Sequence, residues 1–223
     1  MPPQPHNTTD SDSVSKPATP RRLGRPLHHA PEDERSMLIG AAYRVLANRQ
    51  SGSIPVGEIC AQAGLSTRSF YRHYKSKDEL LLAMFEAEGR RVEIELAEVV
   101  DLATGPLVAL ADWLRFCLSL SFDPRRRRRA LVMQSAEVTR ASGYAAVFEQ
   151  MQERHRTPLV RILEAGVADG SFRHARPASD AVMIQDVVSC VITRRWNGVE
   201  EADADVALAS VVDFVSRLIG VRD

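Results

Sequence analysis

The 223-residue sequence predicts an all-α protein with two helical domains. Apolar residues recur at the three-to-four-residue spacing of helices that bury one face, and no useful stretch alternates as a half-buried strand does. Glycine and proline breaks separate short helices near the N-terminus from longer helices beyond them. We therefore predict a three-helix domain at 31–80 and a larger helical domain at 81–223, preceded by a tail at 1–30.

The tail is rich in proline, serine, threonine and aspartate and holds almost nothing apolar. This composition predicts disorder, because too little apolar surface is available to offset the entropy lost on folding. Arg22 and Arg25 lie in the tail. They predict either a basic arm that enters a DNA minor groove or a solvated basic linker.

A first helix is predicted over 33–47, where acidic residues at the start favour the positive end of the helix dipole. A second helix is indicated by apolar residues at the spacing i, i+3, i+4, i+7, namely Val56, Ile59, Cys60 and Ala63. Gly64 follows at once. Glycine adopts at little cost the left-handed conformation in which helices commonly end, so a turn is predicted here.

A third helix follows the glycine turn. Ser66 is its predicted N-cap, and Phe70 and Tyr74, four residues apart, are expected to face the core together. The outward face that remains contains no acid and consists of Thr67, Arg68, Ser69, Tyr71, Arg72 and His73. Because a solvated face normally mixes acids and bases, this one predicts a helix-turn-helix unit whose third helix enters a DNA major groove.

The segment at 33–82 resembles the N-terminal domain of the tetracycline-repressor-type (TetR) family of transcriptional regulators. The turn at Gly64, the pair of Phe70 and Tyr74, and the Ser-Lys that ends at Lys77 all fall in the register of that family. The rest of the chain is similar to the family in length and helical pattern.

The resemblance implies a homodimer that binds a double-stranded DNA operator, with one recognition helix in each half-site. The family's phosphate-binding positions are occupied here by Tyr71, His73 and Lys77. The candidates for base contacts are Thr67, Arg68 and Ser69. Among them, Arg68 is expected to read guanine, because an arginine in the major groove most often does. Alternatively, Arg68 is a phosphate contact or an exposed charge, and Tyr71 is a core aromatic. The candidate DNA-binding residues are Arg22, Arg25, Ser66, Thr67, Arg68, Ser69, Tyr71, His73 and Lys77.

Ser76 and Glu79 form a capping-box pattern, in which each side chain bonds the backbone at the start of a helix. That helix is predicted to run to about residue 102 and to link the two domains. Five further helices are predicted at 106–121, 125–140, 143–168, 178–197 and 203–220. The last two are the most apolar. The resemblance implies that they form a four-helix bundle with a second copy of the chain; the alternative is burial within the same chain.

Aromatic and methionine side chains gather in the middle helices. Such a group is either core or the wall of a pocket for a small apolar ligand. The candidate ligand-binding residues are Trp113, Phe116, Met133, Tyr144, Phe148, Met151 and Met183. The candidate polar anchors are Gln134, Arg140, His155, Gln185 and Arg194.

Charge is unevenly distributed along the chain. The net charge is zero, yet residues 21–77 hold ten Lys or Arg against four Asp or Glu. This asymmetry suits a basic DNA-facing domain joined to an acidic effector domain. The run from Arg125 to Arg129 lies outside the basic part, and its five charges cannot share one helix face. It predicts a phosphate contact, pairing with acids, or solvation.

The remaining composition narrows the class of function. Three separated cysteines and scattered histidines suit neither a disulfide framework nor a metal site, so no metal or cofactor is predicted. No apolar run is long enough to span a membrane and no signal peptide is visible, so a cytoplasmic protein is expected. No catalytic constellation stands out, and an enzyme is not expected.

The sequence thus predicts a transcriptional regulator, and more specifically a repressor released from a palindromic operator by a small hydrophobic or amphipathic ligand. The alternatives are an all-α enzyme or a protein-binding helical adaptor with a vestigial helix-turn-helix.

Overall fold

The computed structural model describes residues 30–49, 52–199 and 202–221. These residues form ten helices and no strand, and the one β-bridge, between Phe172 and Val221, is isolated. The helices are α1 Pro31–Asn48, α2 Val56–Ala63, α3 Thr67–His73, α4 Lys77–Asp101, α5 Pro106–Phe122, α6 Pro124–Met133, α7 Ala136–Thr139, α8 Tyr144–Ala168, α9 Pro177–Trp196 and α10 Ala204–Ile219. The predicted all-α fold is confirmed. The predicted basic arm with Arg22 and Arg25 lies outside the described residues.

Helices α1 to α3 pack around one core, and their ends follow the signals in the sequence. Gly64 ends α2 in the left-handed conformation, with φ 68°. The Ser66 hydroxyl caps α3 by accepting from the backbone N–H of Ser69 at 3.1 Å. Phe70 and Tyr74 are both buried. Because these two aromatics hold one side of α3 against the core, its other side faces solvent.

Helix α4 belongs to both halves of the molecule. Ser76 accepts from the backbone N–H of Glu79 at 3.1 Å, and the Glu79 carboxylate accepts from that of Lys75 at 2.6 Å. The capping box therefore forms, with its return bond one residue earlier than in the usual pattern. The early turns of α4 supply the first core with Leu80, Leu81, Met84 and Phe85. Its later turns supply the second core with Val92 and Leu96.

The second core lies among α4, α5, α8, α9 and α10. Helix α5 is central to it, because α5 packs against the other four helices. Its most deeply buried side chains include Trp113, Leu114, Leu159, Leu163, Ile184 and Val215. No helix in the described ranges combines the length and the apolarity that a membrane crossing requires.

The prediction of one continuous helix over 125–140 is wrong, because this segment forms two helices. Helix α6 ends at Met133, Ser135 adopts an extended backbone, and α7 begins at Ala136. Neither glycine nor proline marks the break, so the sequence pattern carried no signal for it. The break turns α7 onto the start of α4. There the Asp78 carboxylate accepts from the backbone N–H of Ser142 at 3.0 Å.

Substitution of Gly166 in α8 tests how tightly the second core is packed. A Cβ at this position would lie 1.9 Å from Cδ2 of the buried Phe172 ring. We expect Gly166→Ala to lower the free energy of unfolding by about 1–3 kcal/mol, because the ring must move within a packed core. Urea denaturation measures this change. Gly57→Ala is the control, since its Cβ meets open space, and alanine is expected to stabilise that helix by up to about 1 kcal/mol. Equal stabilities for the two variants would contradict the account.

Candidate nucleic-acid interface and internal cavity

The outward face of α3 presents its polar side chains to solvent. Thr67 and Arg68 are exposed, and Ser66 is exposed beside them at the N-cap. Tyr71 is 62% exposed while its ring meets the buried Phe70 edge-on at 5.1 Å. The alternative of Tyr71 as a core aromatic is therefore not what the structure shows. A protruding tyrosine supported from below is well placed to donate its hydroxyl to an acceptor outside the protein.

His73 is placed differently from the prediction. Its side chain is 6% exposed, and Nε2 lies 2.8 Å from the Glu34 carboxylate of α1. The expectation that His73 lies on the outward face is wrong, because it stands three residues after Phe70 and one before Tyr74, on the buried side of α3. The hydrogen bond with His73, followed by that with Arg72, lowers the pKa of the Glu34 carboxyl. This cluster ties α3 to α1 and so orients the outward face.

Lys77 is also engaged inside the protein. Its Nζ contacts the carboxylate of Glu137 in α7 and lies 2.9 Å from the Ser53 hydroxyl. The same carboxylate oxygen accepts from the Ser53 hydroxyl and from the backbone N–H of Ile54, both at 3.0 Å. Burial would raise the pKa of Glu137, but these hydrogen bonds outweigh it and the pKa is lowered. A phosphate bound by Lys77 would therefore share the ammonium group with Glu137 or replace it.

Glu137 was missed by the sequence reasoning. It lies 60 residues beyond Lys77, on a four-residue helix that the helical pattern did not separate from α6. A local motif gives no sign of such a pair, because only the folding of α7 onto α4 brings the two side chains together. Three donors from the N-terminal domain and the start of α4 converge on one acid of the C-terminal domain. Glu137 is thus a direct polar link between the two domains.

A cavity of about 250 Å³ lies between α4, α5, α6, α8 and α9. Four of the seven predicted ligand-binding residues line it: Trp113, Met133, Phe148 and Met151. Three of the five predicted polar anchors also line it: Gln134, His155 and Gln185. The aromatic and methionine pattern therefore marked the right region of the fold.

The other three predicted ligand-binding residues do not line the cavity. Phe116 is buried beneath the Arg126 guanidinium, 4.8 Å from its ring centre. Tyr144 stacks on the outer side of Phe148 at 5.7 Å. Met183 is 50% exposed on α9. Helical spacing could not separate these positions, because it does not show whether a side chain faces the cavity, another side chain or solvent.

Two predicted polar anchors, Arg140 and Arg194, are likewise absent from the cavity wall. Wall residues that the sequence reasoning did not propose include Gly89, Arg126 and Trp196. Both tryptophans of the chain, Trp113 and Trp196, thus belong to the cavity wall.

Most polar groups around the cavity already have partners. His155 Nε2 lies 3.1 Å from the Gly89 carbonyl oxygen, and burial lowers the pKa of His155, so its ring is neutral near pH 7. Gln185 donates to the Gln152 carbonyl at 2.9 Å. Within the described part of the chain, the Nε1 atoms of Trp113 and Trp196 are buried without a hydrogen-bond partner. The wall is therefore apolar with a few oriented polar groups, as is usual for small-molecule sites.

Charged side chains close one side of the cavity. Arg126 of α6 pairs with Glu95 at 2.8 Å. Glu88 pairs with Arg91 at 2.5 Å and with Arg129 at 2.6 Å. Burial would raise the pKa of Glu88, but the bonds from the two arginines lower it overall. These pairs fasten α6 to α4 beside the cavity.

Comparison with known proteins agrees with this architecture. Residues 38–84 match the family model for bacterial regulatory proteins of the tetR family. The HTH-type transcriptional repressor KstR2 of Mycolicibacterium smegmatis is 28% identical over 146 residues, which are 64% of this chain and 69% of that protein.

Two solved structures show the same fold over most of their length. A TetR transcription regulator from Haloarcula marismortui aligns with a TM-score of 0.68 at 20% identity, covering 85% of this chain and 97% of that one. The transcriptional regulator FadR from Bacillus subtilis, in complex with stearoyl-CoA, aligns with a TM-score of 0.64 at 17% identity, covering 82% of this chain and 98% of that one.

The acid-free face of α3, the glycine turn before it and the helical domain behind it define a helix-turn-helix regulator of transcription. Sequence-specific binding to duplex DNA is the function of this class. The family match over 38–84, the repressor KstR2 and the solved structures together support a TetR family regulator.

Arg68 offers a test of direct base reading. We expect Arg68→Ala to relax the preference for one base pair in each half-site, at a cost of about 1–3 kcal/mol for the preferred base. Competition binding with operators changed at one base pair at a time measures the preference. Arg90→Ala removes an exposed arginine from α4 and is the matched control. A uniform loss of affinity across all operators would instead assign Arg68 to the phosphate backbone.

Proposed function

We propose that the chain is a homodimeric repressor that leaves a pseudo-palindromic operator when a small hydrophobic or amphipathic molecule fills the cavity. One observation carries the proposal: α4 begins directly after the outward face of α3 and, three turns later, forms a wall of the cavity. A protein with this function is proposed to act in the cytoplasm, where its operator lies. Neither the enzyme nor the adaptor alternative is favoured by a particular site.

Dimer formation is supported by the last two helices. Both bury one side against the second core and leave large apolar side chains exposed on the other: Val182, Met183, Val206 and Phe214. Exposed apolar surface of this kind favours burial against a partner. A second copy would also supply the second recognition helix, and two half-sites one helical turn apart, about 34–36 Å, match a two-fold dimer.

The size and character of the cavity limit the effector. A cavity of about 150 Å³ in another protein holds benzene, so one of about 250 Å³ accommodates roughly ten non-hydrogen atoms. The FadR structure contains stearoyl-CoA, which is far larger. The proposed effector is therefore a small apolar molecule or the apolar part of a larger amphipathic one. Repression is supported by KstR2, which is a repressor.

The effector signal is proposed to pass through the end of α6. Met133 and Gln134 line the cavity, and Glu137 follows within one helical turn and holds Lys77. A ligand that displaces the end of α6 therefore displaces the carboxylate that fixes the start of α4. The ligand can shift this equilibrium only by its difference in affinity for the two conformations.

Effector binding and operator release are expected to occur together. Because both tryptophans line the cavity, an apolar effector is expected to change the intrinsic fluorescence and, over the same concentrations, to release a duplex from the gene's own upstream region. Ala130→Phe fills part of the cavity, since Ala130 lines it, and is expected to weaken both effects at least tenfold. Ala168→Phe, which adds the same ring at an exposed position of α8, is the control. Release from Ala130→Phe at unchanged effector concentration would place the effector elsewhere.

Glu137→Gln tests the proposed coupling. Removing this charge frees Lys77 for a phosphate, so operator affinity is expected to rise about fivefold, equivalent to about 1 kcal/mol. The salt dependence should steepen by up to about one counterion per subunit, and the effector should release the operator less completely. Glu149→Gln, an exposed acid of α8, corrects for the change in net charge. Weaker operator binding by Glu137→Gln alone would show that the carboxylate supports the DNA-binding conformation instead.

A further inference from the structure

The five arginines from Arg125 to Arg129 divide between two sides of α6. Arg126 and Arg129 turn inward and pair with acids of α4. Their three-residue spacing puts them on one helix face. Arg125, Arg127 and Arg128 are exposed, and in the described part of the chain their side chains form no ion pair or hydrogen bond. These three charges have no role in the function proposed above.

The outward arginines line two adjoining grooves between α6 and the N-terminal domain. The larger groove, of about 890 Å³, contains Arg49, Arg127, Arg128 and Arg140. The smaller groove, of about 330 Å³, lies beside α1 and contains Arg44, Arg125, Arg128 and Arg129. Arg128 belongs to both. The exposed guanidiniums of the two grooves form what we call the arginine trough: Arg44, Arg49, Arg125, Arg127, Arg128 and Arg140.

Acids are scarce along the arginine trough. Among the described residues, Glu137 is the one acid that lines either groove, and Lys77 already pairs with it. Arg49 pairs with Glu58 at 2.9 Å. The other five guanidiniums of the trough have no acidic partner in the ranges that the structure describes. Uncompensated charges this close together attract a polyanion strongly at low salt.

The arginine trough adjoins the predicted DNA interface. The larger groove includes Ser53 and Glu137, and both contact Lys77. Lys77 in turn is a predicted phosphate contact at the start of α4. The basic surface therefore continues from the recognition unit, past the loop between α1 and α2, to α6.

We propose that the arginine trough binds the sugar-phosphate backbone of the operator duplex outside the half-site that α3 reads. This inference rests on the proposed binding of α3 to DNA. The guanidiniums are spread along an open groove and do not converge on one point, as the donors of a small-anion site do. A row of cations matches the row of phosphates along a strand, which carries one charge per about 3.4 Å. Contacts of this kind add affinity without sequence preference.

Two duplexes test the proposal. The first ends at the outer edges of the two half-sites, and the second extends it by about one helical turn, roughly 10 bp, on each side. The wild-type dimer is expected to bind the extended duplex about tenfold more tightly at low salt. The double variant Arg127→Gln/Arg128→Gln is expected to lose this gain while binding the short duplex as the wild type does. Because four charges are removed per dimer, the slope of log affinity against log salt on the extended duplex should fall by up to about 3.6.

The control is Arg90→Gln/Arg115→Gln, which removes two exposed arginines from α4 and α5 and changes the net charge equally. Thermal unfolding checks that both double variants fold. Equal losses on the two duplexes, or the same loss in both double variants, would overturn the proposal, because the effect would then be one of net charge.

The test also separates this inference from the function on which it rests. If the wild type does not prefer the short operator to a scrambled duplex of equal length, the proposed function fails. If it binds the short operator but gains nothing from extension, the arginine trough alone fails. If inorganic pyrophosphate raises the melting temperature of the wild type but not of Arg127→Gln/Arg128→Gln, and extension brings no gain, the trough is a small-anion site and the DNA proposal is overturned.

Discussion

Helix α4 packs into both cores of the molecule and so fixes how the DNA-facing half is held on the larger helical half. Its first turns are packed with α1 to α3, and its later turns are packed with α5 and α8. A continuous helix transmits displacement because its backbone hydrogen bonds resist bending, whereas a flexible linker would absorb it. The orientation of the α3 face is consequently tied to whatever occupies the space beside Gly89 and Val92, and a cavity at that place is suited to control DNA binding.

Glu137 adds a second connection that runs parallel to α4. Its carboxylate gathers donors from Lys77, Ser53 and Ile54, which belong to two different elements of the DNA-facing half. The three donors resemble those that would hold a phosphate, so in the proposed mechanism the acid and the DNA backbone compete for the same ammonium group. The free energies of the two states would differ little, because Lys77 is paired with an anion in each of them. That balance is what a ligand of moderate affinity requires in order to act as a switch.

The arginines of α6 show how one residue type serves different purposes according to what faces it. Arg126 and Arg129 neutralise Glu95 and Glu88 and fasten α6 to α4 beside the cavity. Arg127 and Arg128, in the same run, face solvent in grooves that hold almost no acid. The inward pairs stabilise the fold, and the outward charges contribute a field that a polyanion can use. The zero net charge of the chain conceals both arrangements.

Elements with local causes could be predicted from the residues alone. Gly64, Ser66 and the aromatic pair of Phe70 and Tyr74 act within a few residues, so the helix-turn-helix and the exposure of Tyr71 followed from spacing and capping alone. Contacts between residues far apart in the chain became visible only in the folded molecule. Glu34 met His73 across 39 residues and Glu137 met Lys77 across 60. Phe116 and Tyr144 packed against neighbours outside the cavity, and Met183 faced solvent. Helical periodicity defines which residues share a face, but it carries no information about what covers that face.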